Sequence, residues 1–89
     1  MIVSLPHQPP GARGEDAATI ILFDLAELGI EPEQLCKDLG SCHELVSLEG
    51  EHLGYHWTLF AGLRCLQYVV TPTDATRNGE PIASSSERA

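Results

Sequence analysis

Apolar positions in this chain fall into blocks separated by glycine and proline. In the first block Ala18, Ile21, Leu22, Leu25 and Leu28 recur three and four residues apart, as one face of a helix requires. Glu15 and Asp16 stand where a helix start favours negative charge, Asp24 and Glu27 fall on the opposite side, and Gly29 supplies a C-terminal cap. A strand from Thr19 to Phe23 is the competing reading, because periodicity alone does not separate short apolar runs. In the second block Pro32 occupies an early helical position, Leu35 and Leu39 lie four apart, and Gly40 ends the segment. In the third, Ser41 with Glu44 three residues on forms a capping-box pattern, predicting a helix that carries Leu45, Val46 and Leu48. Gly50 and Gly54 then read as loop glycines.

The segment HLGYHWTLFAGLRCLQYVV supports two periods. As a helix it aligns His56, Leu59, Phe60, Leu63, Leu66, Gln67 and Val70; as strands it alternates Leu53, Tyr55, Trp57 and Leu59, then Leu66, Tyr68 and Val70. Ala61-Gly62 is a poor hairpin turn, whereas one glycine inside a helix costs only about 1 kcal/mol, so helix is preferred. The expected fold is therefore all-α, a small bundle of three to four short helices forming a single domain over residues 14–70. The alternative is α+β with a strand or hairpin at 53–70. Residues 1–13, rich in proline and glycine, and 71–89, polar with an Asn-Gly turn signal and a serine run, read as flexible tails. Trp57 and Phe60 are expected in the core, with Tyr55 and Tyr68 open between core and interface.

Size changes the picture. Of 89 residues, setting the tails aside leaves roughly 55 to 60 for a core, a marginal number. Burial against a second copy or a standing partner is the expected remedy, and a homo-oligomer is the default expectation. Hydrophobic content of 43% nonetheless predicts a folded chain. The three cysteines have no disulfide-framework spacing, and the N-terminus lacks a basic region followed by an apolar one. A reducing cytoplasm with free thiols is the expected setting. The longest nearly uncharged stretch, 53–62, is too short to cross a bilayer.

Charge narrows the partners. The formal net charge is −8, and the ten acids from Glu15 to Glu51 face Lys37 as the one cation among them. Nucleic-acid backbones and anionic membranes are gripped by Lys and Arg, so both are poor partners for this surface. A basic protein surface is the complementary choice.

The stretch LAELGIEPEQLCKDLGSCHELVS resembles the phage-repressor type of helix-turn-helix domain, with Gly29-Ile30, Leu35, Leu39, Gly40 and Val46 in step. The resemblance extends over residues 17–66, Trp57 to Leu66 supplying a following helix. It implies a helical bundle and, for the family, DNA reading. The chain departs from the family where DNA would be read. Cys36 replaces a small alanine, and the recognition positions hold Cys42, His43, Glu44 and Ser47, with no Arg or Lys to fix register. The skeleton is thus expected without its DNA chemistry.

Cys36, Cys42, His43, His52, His56 and Cys65 are zinc-type ligands, and His52 and His56 would share a face on a helix. Yet Cys36 and Cys42 are separated by five intervening residues and no CxxC occurs, so a small zinc-binding protein is only a secondary alternative and no cofactor is implied. No nucleophile with its base, and no phosphate-cradling glycine loop, suggests an enzyme. The expected function is that of a small acidic protein-binding regulator or inhibitor, mimicking nucleic acid in its sharpest form. Its expected contact residues are Glu31, Glu33, Asp38, Glu44, Glu49 and Glu51. A helix-turn-helix transcriptional regulator is the first alternative.

Overall fold

The computed structural model describes residues 5–82. Helix α1 spans Ala12–Glu27, a 3₁₀ turn spans Pro32–Gln34, and five strands follow: β1 Ser41–Val46, β2 His52–Ala61, β3 Arg64–Val70, β4 Ala75–Arg77 and β5 Glu80–Pro81. The strands form one antiparallel meander in sequence order, and α1 lies across one face. The architecture is α+β, which overturns the all-α bundle and, with it, the helix-turn-helix arrangement.

α1 forms as its apolar period requires. Ile20, Ile21 and Leu25 are buried against the sheet, with Leu22 and Leu28 packed at the margin. Gly29, at φ 74°, ends it: the Gly29 N–H donates to the Ala26 carbonyl and the Ile30 N–H to that of Leu25, the paired bonds of a Schellman cap. Asp24, expected on the solvent side, is only 5% exposed and points at the sheet.

The segment expected to be a recognition helix is β1. Gly40 sits so close to β2 that a Cβ there would lie 2.3 Å from the Thr58 carbonyl oxygen. The chain therefore enters alongside β2. Glu44, expected to reach back to Ser41 as a capping box, instead reaches across to His52.

For 53–70 the two-residue period prevails. Tyr55, Trp57 and Leu59 on β2 pair with Val70, Tyr68 and Leu66 on β3, and all six are buried under α1. Phe60, expected in the core, falls on the opposite face with His56, Thr58, Gln67 and Val69. The turn is Gly62-Leu63, one residue later than the pair judged unsuitable. Gly62 has φ 62° while Leu63 stays at negative φ, which is the type II′ pattern that suits a two-residue hairpin. Asn78-Gly79, both at positive φ, form the matching turn between β4 and β5.

The folded unit also exceeds 14–70. At the N-terminal end Leu5 is 4% exposed, and the Trp57 indole N–H donates to the Pro6 carbonyl at 2.9 Å. The strap is held close: a Cβ on Gly14 would fall 2.1 Å from the Pro9 carbonyl oxygen. At the other end Ala75 and Ile82 are buried. The remainder of the expected tails, 1–4 and 83–89, lies outside the described residues.

Asp24 Oδ2 accepts from the Tyr68 hydroxyl at 2.6 Å and from Arg77 Nη1 at 2.5 Å, joining α1 to β3 and β4. Replacing Asp24 by Ala leaves a buried hydroxyl and a partly buried guanidinium without their acceptor. A loss of about 3 kcal/mol in urea unfolding is expected, and a loss below about 0.5 kcal/mol would contradict the assignment. Burial, then the hydrogen bond to Asp24 and its charge, holds the Tyr68 hydroxyl well above its ordinary range. The folded state therefore keeps a proton that the unfolded chain releases near pH ~10, so stability is full below that pH and falls as pH rises past it. Tyr68→Phe should flatten that alkaline decline.

Candidate binding surface

The acidic residues singled out in the sequence lie in two groups. Glu31 and Glu33 flank and enter the 3₁₀ turn, and Asp38 precedes β1; all three are exposed. Glu49 and Glu51 occupy the turn after β1, their backbone N–H groups donating to Ser47 Oγ at 3.2 and 3.1 Å. The six residues of β1 separate the two groups by roughly 20 Å. They are therefore two acidic ends and not one continuous face. Glu44 belongs to neither: it sits on the helix side of β1, with Oε2 2.7 Å from His52 Nδ1.

Between the ends lies the sheet face that no described element covers. Strand register puts His43 and Leu45 from β1, His56, Thr58 and Phe60 from β2, and Gln67 and Val69 from β3 on it. Leu45, Phe60 and Val69 are half-buried there among polar neighbours. At the β4 side His56, Gln67, Val69 and Thr76 surround a shallow hollow of about 430 Å³. Leu48 and Leu63, both fully exposed, mark the two ends of the strands. Sequence reasoning missed this face because a helical reading of 53–70 puts Phe60 on the same side as Leu59 and Leu66.

The metal candidates are scattered by strand alternation. His43 and His56 are direct cross-strand neighbours on the uncovered face, whereas Cys42 and His52 lie on the helix side. Cys36 is in the connection before β1, where its backbone N–H donates to the Phe60 carbonyl, and Cys65 is exposed on β3. Among the described residues no three His, Cys, Asp or Glu side chains converge to hold a metal ion. The recognition positions Cys42, His43 and Glu44 alternate between the two faces of an edge strand, and Ser47 caps the turn that follows. No described helix is long and apolar enough to cross a membrane.

No family model matches this chain, and no curated protein or solved structure matches it significantly.

Burial pushes the Cys42 thiol from 9.0 up to about 11. The thiolate is the reactive form, so Cys42 should resist alkylation while exposed Cys65 reacts. With iodoacetamide at about pH 8, peptide mass mapping should find Cys65 modified at least tenfold faster than Cys42. Equal rates would mean that Cys42 is not covered by the helix side of the sheet.

Proposed function

We propose that this chain is a small acidic protein-binding regulator or inhibitor whose uncovered sheet face docks on a basic surface of a partner protein. The observation that carries the reading is the layout of that face: half-buried Leu45, Val69 and Phe60 spread along it among polar neighbours, with carboxylates at both ends of β1. Apolar side chains along the face supply affinity by leaving water, and the charged ends supply orientation and fast encounter. This replaces a purely electrostatic contact through six carboxylates by a mixed one. Glu31, Glu33, Asp38, Glu49 and Glu51 act at its rim, and Glu44 is held by His52.

The charge sign argues for a protein partner over nucleic acid. With a net charge of −8, approach to a polyphosphate is repulsive over a Debye length of about 8 Å at physiological salt. A protein surface carrying Lys and Arg meets the same rim favourably.

Affinity purification from the native host identifies the partner, and titration of the purified pair tests the surface. Glu49→Lys with Glu51→Lys should weaken association about fivefold or more, with a thermal midpoint within a few degrees of the parent. Val69→Asp should abolish it, and about 0.5 M salt should remove most of the remaining rim contribution. Unchanged affinity in both variants would overturn the reading. Retardation of random duplex DNA at low salt would favour the DNA-binding alternative instead.

A further inference from the structure

A second feature lies on the other side of the sheet, away from the proposed docking face. β2 carries one residue more than β1 near its start: Leu45 faces Gly54 but Val46 faces His52, so Leu53 is bulged outward. The extra residue turns His52 to the helix side, where its side chain is 12% exposed and its Nδ1 meets Glu44. Its ring stands edge-on to Tyr55 with centroids 4.9 Å apart at 61°. A cleft of about 230 Å³ opens beside them, between the first turns of α1 and the ends of β2 and β3.

The lining divides by chemistry. Ala17 and Ile20 from α1 and Val70 from β3 make an apolar wall. Arg13 and Asp16 stand exposed at the rim on the helix side. Tyr55 is 8% exposed, yet among the described residues its hydroxyl makes no hydrogen bond to protein, and Arg13 is in no ion pair. A tyrosine hydroxyl that lines a cleft and has no protein partner is left to bond with water or a ligand. After burial, the Glu44 carboxylate acts on that hydroxyl first, and the Arg13 charge opposes it more weakly. Arg13 and Tyr55 line the same cleft, and a planar carboxylate matches a guanidinium and a donor hydroxyl together. Asp16 at the same rim and Glu44 behind His52 oppose a second negative charge, which selects one carboxylate over two.

We propose that this cleft binds a small molecule with one carboxylate and a compact apolar body, the carboxylate held by Arg13 and the Tyr55 hydroxyl and the body resting on Ala17, Ile20 and Val70. His52 is kept in place by Glu44 and forms the wall beside Tyr55. The site is independent of the uncovered sheet face, and its failure leaves the docking reading untouched.

Benzoate is the probe, followed by amide chemical-shift changes in the full chain. A ligand of about nine non-hydrogen atoms in such a cleft is expected to bind with a Kd on the order of 1 mM. Saturating shifts should cluster at Arg13 to Ile20, His52 to Tyr55, and Val70. Tyr55→Phe and Arg13→Gln should each weaken binding about tenfold, and benzamide, of the same shape without the charge, should bind about tenfold more weakly than benzoate. Arg64→Gln, at the distant end of β3, should bind as the parent does. Shifts that stay linear to about ten times that concentration, equal binding of benzamide, or a loss in Arg64→Gln matching that in Arg13→Gln would overturn the proposal. Because Tyr55→Phe removes only a hydroxyl and Arg13 is exposed, a folded spectrum from both variants keeps the comparison valid.

Discussion

The carboxylate of Asp24 is the constraint to which the two layers answer. It is taken out of water inside the helix–sheet interface, and among the described residues the Tyr68 hydroxyl and the Arg77 guanidinium offset that loss. Both donors address the same oxygen from adjacent strands. The bond geometry therefore fixes the rotation of α1 about its axis and the place of the three-residue β4 beside β3. The same network keeps the Arg77 charge on the carboxylate, with the guanidinium held more firmly in its protonated form by that hydrogen bond.

A single helix covers one side of a sheet, and the consequences run through the molecule. The buried large side chains, Trp57, Tyr68, Ile21, Leu25, Leu59 and Leu66, all belong to that one interface. So small a core draws on what lies next to it. The strap at Leu5 and Pro6 closes over Trp57, giving its indole N–H an acceptor, and Ile82 closes the β5 end. Burying Leu5 alone contributes on the order of 2 kcal/mol, a sizeable share for a domain of this size. What no described element covers is the other side of the sheet, the face proposed above for docking.

The two candidate sites show how one strand serves two surfaces. Residues of β2 alternate between the helix side and the uncovered side, so Tyr55 looks into the small cleft while His56 and Phe60 face outward. The bulge at Leu53 interrupts that alternation once and brings His52 to Tyr55. Gly54 permits the interruption, since a Cβ there would fall 2.3 Å from the Val70 carbonyl oxygen.

Much was legible in the residues themselves. The stripe from Ala18 to Leu25, the Gly29 cap and the Asn78-Gly79 turn are local signals, set by φ preferences and by which side chains meet within a few residues, and the chain obeys them. The excess of carboxylates was equally plain. Local signals did not decide between two periods in 53–70, where the apolar residues fit a helix and a hairpin alike. That choice belongs to contacts far apart in the chain: Trp57 against Tyr68, Leu35 beside Ala61, and Asp24 with Arg77, which lie 53 residues apart. Ser41 and Glu44 carried a capping pattern that the strand pairing with β2 overrode, since a whole ladder of backbone bonds outweighs one cap. Nor does a linear pattern tell that the acids divide between two ends of β1, or that Arg13 and Tyr55 share a cleft. The sequence determined an acidic chain with one amphipathic helix; only tertiary pairing decided that the rest is sheet, because burial of alternating side chains needs a partner strand that local spacing does not name.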